Sequence, residues 1–165
     1  MFESIKKLDA QMARLKGRIS RSERKLDDDK ATYKELSVEK QYHTFVKDVE
    51  TNGEKYNLNV PGIVENLDMM KNYIDNTFFD DAENISSDIE SEIYNRKFQR
   101  CLIEISSTRT KILEASRKEL DLTGVLDILN NAKHELRIKE FDSAMEYAKE
   151  AYDMVDNLLK EFTVV

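Results

Sequence analysis

One cysteine, one proline, four glycines and no tryptophan occur among 165 residues, and each scarcity removes a class of structure. A lone Cys101 excludes an internal disulfide and any multi-cysteine metal site, so a reducing compartment is the simpler setting. No apolar run approaches the ~18 residues of a membrane span, and the N-terminus has no signal-type hydrophobic region. A cytoplasmic protein without a transmembrane segment is expected. Strand-forming runs bounded by Gly or Pro are missing. Four isolated glycines build neither a phosphate-cradling loop nor a dinucleotide fingerprint, and no Ser-centred elbow occurs.

Candidates for chemistry are equally thin. Three residues before His43 and His134 stand Lys40 and Asn131, so the Glu-x-x-His pattern of a di-metal bundle fails twice. Glu39 and His43, four apart, read as a surface pair. Cys101 has no His within helical reach to activate it, and its neighbours Phe98, Leu102 and Ile105 predict a buried, inert thiol. The acidic run Asp80, Asp81, Glu83, Asp88, Glu90 and Glu92 has no Gly turn of the calcium-loop kind. Its first members, like Asp142, suit the first turn of a helix. No catalytic, cofactor-binding or metal residue is assigned, no cofactor is implied, and a non-enzymatic role is expected.

What is abundant is charge, 36% of the chain, beside 40% apolar residues, the composition of helices with few turns. The strongest feature is a repetition. Residues 58–93 slid forward by 62 positions fall on residues 120–155 without a gap, with seven identities in 36 pairs, where chance gives about two. Those identities include Leu58/Leu120, Gly62/Gly124, Leu67/Leu129, Phe79/Phe141 and Ala82/Ala144. Pro61 starts a helix at a position where its missing N–H costs nothing. Thr123 is expected to cap the equivalent helix in the second copy. Ile63, Leu67, Met70, Ile74 and Val125, Leu129, Ala132, Leu136 mark one face of each. Tight connections at Asp75-Asn76-Thr77 and Arg137-Ile138-Lys139 lead to helices opened by Phe79 and Phe141. No Pro or Gly separates Phe79 from Lys118, so the last helix of one copy is expected to run on as the first of the next. Ser106-Ser107-Thr108 is the place for a bend.

The run Phe141-x-x-Ala144-x-x-x-Ala148-x-x-Ala151, with Phe79-x-x-Ala82 as its echo, resembles the hairpins of tetratricopeptide-type repeats, and the shared long helix is similar in principle to spectrin repeats. The resemblance implies a helical interaction scaffold. The 62-residue period and the absent Trp depart from both patterns, so no groove residue is carried over.

Ahead of the repeats, Ile5, Leu8, Met12, Leu15, Ile19, Leu26, Tyr33 and Leu36 follow a 3-4 spacing, with Ser22 and Asp29 as polar interruptions. This is a heptad seam, too narrow for a globular core. Residues 1–47 hold 12 Lys/Arg against 8 Asp/Glu, and residues 48–99 hold 4 against 12, making the chain a dipole along its length. Lys6, Lys7, Arg14, Lys16, Arg18, Arg21, Arg24 and Lys25 flank the seam.

The expected fold is all-α: an elongated helical repeat protein with a long N-terminal coiled-coil helix and two duplicated hairpins linked by a shared helix. Residues 1–36 form a basic arm, 37–98 a first repeat and 99–165 a second. The expected role is a scaffold for protein–protein interaction, with self-association as a homodimer through the seam. The alternative is contact between the basic arm and nucleic acid or an anionic surface.

Overall fold

The computed structural model describes the backbone of residues 2–163 and the side chains of residues 14–162. Five helices and no strands make up the described residues: α1 (Phe2–Tyr56), α2 (Pro61–Asp75), α3 (Phe79–Ser116), α4 (Thr123–Arg137) and α5 (Phe141–Thr163). The first helix, 55 residues, is about 80 Å long at ~1.5 Å per residue. It passes unbroken through Gly17 and Gly53, although glycine weakens a helix interior. α3 likewise runs through Ser106-Ser107-Thr108 without interruption over 38 residues.

Helix starts and stops follow local chemistry. Pro61 opens α2 behind an extended Val60, as the fixed φ of proline favours. The start of α4 corrects the sequence expectation. Thr123 is the first helical residue rather than the cap, and the Asp121 carboxylate accepts from its N–H at 3.0 Å and its hydroxyl at 2.8 Å. Asp121 is thereby held below the usual carboxylate range. The first four helices all end in the same way. A left-handed residue (Asn57, Thr77, Glu119 or Lys139) follows the helix, and the next N–H returns to a carbonyl five residues back: Leu58 to Gly53, Phe78 to Tyr73, Leu120 to Ala115, Glu140 to Glu135. This is the Schellman arrangement, made here without glycine. Leu58, completely buried, supplies the apolar contact that accompanies it.

These features recur 62 positions apart: α2 and α4 share start and end, α3 and α5 share a start, and the left-handed residues pair as 57/119 and 77/139. Burial recurs too. Ile63/Val125, Leu67/Leu129, Met70/Ala132, Ile74/Leu136, Ala82/Ala144 and Ile93/Val155 are buried at both places.

Packing is sequential. α2 touches α1 and α3, α4 touches α3 and α5, and α3 meets all four others. Side-chain contacts give the directions. Lys34, Gln41 and Asp48 of α1 bond Asp80, Ser86 and Lys97 of α3, so the two helices are parallel. Cys101, Thr108 and Lys111 of α3 bond Phe141, Ala148 and Asp156 of α5, again in parallel. Each hairpin helix between them runs back. The result is two three-helix units in series, with α3 as the third helix of one and the first of the other. The described side chains leave no buried polar atom without a partner. Thr108, fully buried, satisfies its hydroxyl between the carbonyls of Glu104 at 2.9 Å and Ala148 at 3.1 Å.

Candidate interaction surface

The arm of α1 projects beyond this bundle. Every described residue from Arg14 to Tyr33 is exposed, and the first contact with another helix is made by Lys34, which bonds Asp80 and approaches Glu83 at 2.9 Å. Those carboxylates raise the pKa of the Lys34 ammonium, hydrogen bonding from Asp80 first.

Along the arm the seam lies open. Leu15, Ile19, Leu26, Tyr33 and Leu36 are 54–76% exposed; what sets them apart is their alignment on one face rather than the exposure of any one. They share one face because their spacing of three and four matches the helical turn. Ile5, Leu8 and Met12, with Lys6 and Lys7, have side chains outside the described residues. Arg14, Lys16, Arg18, Arg21, Arg24 and Lys25 are all exposed, and none forms an ion pair with another described residue.

At its root α1 changes sides. The apolar stripe that enters the bundle is Val38, Tyr42, Phe45, Val49 and Tyr56, and Val38 follows Leu36 by two residues, about 200° around the helix. On the seam's own face the next positions are Lys40, His43 and Lys47, all exposed. The two-residue step from Leu36 to Val38 fixes this opposition, and the tertiary structure shows which of the two stripes is covered. With the core on one side and the seam on the other, the bundle cannot fold back over the seam without breaking α1.

The base of α1 is fixed by polar contacts at the junction of the two units. Lys97 grips Asp48 at 2.6 Å. Tyr56, buried, donates its hydroxyl to Asp142 at 2.8 Å, and Lys55 reaches the same carboxylate at 2.5 Å. The Lys55 ammonium, and then Tyr56, hold Asp142 below its ordinary pKa, while burial first and Asp142 second push Tyr56 up. Tyr94 packs edge-on against Phe141 at 5.3 Å. Cys101 is fully buried here, as the sequence predicts, and burial pushes its thiol up to about 11.

A second apolar feature escaped the sequence reading. Phe98, Leu102 and Ile105 of α3 floor an open groove of about 280 Å³, rimmed by Arg109 and, from α4, Lys133 and Arg137. Its residues come from two helices, at least 24 positions apart in the chain, so periodicity on either one does not reveal it. Among the described residues no three His, Cys, Asp or Glu side chains converge where a metal ion would sit, and no helix is long and apolar enough to cross a membrane. Compared with known proteins, the chain matches no family model, and neither the curated proteins nor the solved structures offer a similar one.

Proposed function

We propose that this protein is a non-catalytic helical scaffold: two duplicated hairpin units, residues 37–98 and 99–165, sharing α3, with residues 1–36 as a coiled-coil arm through which it self-associates as a homodimer. The observation that carries this reading is the exposed seam on the face of α1 opposite the core stripe. The recurrence of helix ends, left-handed residues and buried positions at a spacing of 62 supports the duplication.

The magnitudes are adequate. Burying a Leu or Ile side chain contributes about 1.5–3 kcal/mol, and Leu15, Ile19, Leu26 and Leu36 are offered by each of two copies. Their sum is of the size of the ~4–15 kcal/mol that association costs in lost freedom. The test is light scattering on the full chain across a concentration series, with and without Leu15→Asp plus Ile19→Asp. The expected outcome is a dimer that becomes a monomer in the variant, the helical signal of the bundle persisting. A mass unchanged by the double substitution refutes the seam as the interface.

A second reading rests on the six exposed arm cations that have no described ion-pair partner. They suit a phosphate backbone. Duplex or single-stranded nucleic acid would then bind with a steep loss of affinity as salt rises, and Arg14→Glu, Arg18→Glu and Arg21→Glu together would abolish binding. Weak, salt-insensitive binding discards this alternative.

A further inference from the structure

We infer that the arm pairs with a second copy in antiparallel orientation, in the register that sets Leu15 against the partner's Leu26. This inference rests on the self-association reading and adds to it the direction and alignment of the two helices.

Orientation is decided by the polar interruptions and the flanking charges. In a heptad frame Ile19, Leu26 and Tyr33 occupy one seam position, and Leu15, Ser22, Asp29 and Leu36 the other. A parallel, in-register pair would place Asp29 against the partner's Asp29 in one layer. Two like charges would then share a desolvated layer with no opposite charge between them. It would also set Ser22 against Ser22, joining the two polar gaps. An antiparallel pair centred between residues 20 and 21 instead joins each position with the one whose number brings their total to 41. Leu15 meets the partner's Leu26, Ile19 meets Ser22, and Leu36 meets position 5. Asp29 faces position 12, so no layer holds two carboxylates. The entire stripe from 5 to 36 is covered in this one register.

Flanking charges agree. The same alignment sets Lys16 beside the partner's Glu23 and, by sequence position, residue 9, an aspartate, beside the partner's Lys30. Each attraction occurs twice by symmetry. Against them stands one kind of repulsion, Arg18 beside the partner's Lys25, also made twice, so attractions outnumber repulsions four to two. In the parallel alignment the attraction of Arg18 for the partner's Glu23 is cancelled by Lys25 facing Lys30. Charges at these flanking positions set partner orientation in coiled coils. The fold accommodates the arrangement, because the partner helix lies on the face opposite Val38 and Tyr42 and displaces neither α2 nor α3.

Two full-length variants, Leu15→Cys carrying an affinity tag and Leu26→Cys without one, are mixed and treated with a short bis-maleimide; Cys101, being buried, is left in place, and the unsubstituted chain is the control. The expected product is the mixed 15–26 cross-link, several-fold over either variant with itself. Dominant 15–15 and 26–26 products overturn the antiparallel orientation. A chain that is monomeric at all concentrations overturns self-association as a whole, and a dimer that yields none of these products overturns this interface alone. A charge exchange keeps the leucines intact: Lys16→Glu is expected to weaken the dimer several-fold, and adding Glu23→Lys to restore it. The parallel alignment opposes Glu23 to Arg18, so there the second change would weaken the dimer further; failure of rescue overturns the register.

Discussion

Thr77 sits at the turn between α2 and α3 with φ at 63°, a conformation that costs a non-glycine residue about 1–2 kcal/mol. Its side chain is exposed, so nothing is lost by removing it. Thr77→Gly is therefore expected to stabilise the protein, with the gain held to about 1 kcal/mol or less because glycine gives up more entropy on folding. Differential scanning calorimetry checks this; a lower melting temperature contradicts it. Of the four left-handed residues only Asn57 is of a type that favours this conformation after glycine; Thr77, Glu119 and Lys139 carry no such signal in the sequence. Their conformation goes with the backbone bond that returns over each of them to the end of the preceding helix. At Asp142 the sign of a pH effect follows from the lowered pKa. The contribution is present above the unfolded value near 3.9 and is lost as pH falls through the folded value. Its side chain is 63% exposed, so solvent screening keeps the contribution under about 1 kcal/mol. Denaturant titrations between pH 5 and pH 2 should show a shallower loss of stability in Asp142→Asn than in the natural chain. Equal slopes would mean that Lys55 and Tyr56 confer no net preference for the ionised form.

α1 carries two apolar stripes on different faces, the change falling between Leu36 and Val38. Below that point the helix is held by packing. N-terminal to Lys34, which bonds Asp80 and Glu83, the described side chains make no hydrogen bond or ion pair to another helix, and stability there rests on propensity and on whatever covers the seam. Gly17 lies in the exposed part with open space where a Cβ would go, two residues before Ile19 and off the seam. Gly17→Ala is expected to add about 1 kcal/mol of helix stability, raising the circular dichroism at 222 nm and tightening self-association together. A dimer weakened by this change would place position 17 inside the contact. The existence and type of all five helices were readable from spacing, because apolar residues repeat every three or four and Pro61 marks a start. Burial of Tyr56 was not, since the Asp142 that accepts its hydroxyl lies 86 positions away.

The whole molecule exposes 12037 Å², where a compact protein of 19.3 kDa would expose roughly 8500 Å². The surplus belongs to the projecting arm and to units placed in series. What couples the units is α3, continuous through both, together with the junction of Tyr56, Asp142, Lys97 and Cys101. Ser107 is exposed on α3, in the half that serves the second unit. Ser107→Pro removes a helical hydrogen bond and strains the preceding turn, a cost of about 3 kcal/mol or more. The natural chain should melt in one transition, and this variant in two, with the α4–α5 unit unfolding first. A single transition retained in the variant would show that the junction contacts couple the units without an unbroken helix.

By itself the sequence determined which segments are helical, because helix periodicity and the scarcity of Gly and Pro are local properties. It also contained the 62-residue recurrence, the uneven charge and the open heptad spacing of the arm. Tertiary structure decided which helices touch, and which of the two opposed stripes of α1 is covered by them. It decided that Cys101 and Tyr56 meet at a junction and that Phe98, Leu102 and Ile105 floor a cationic-rimmed groove with α4. Those outcomes depend on contacts between residues far apart in the chain, and the repeat pattern along any one helix carries no term for them.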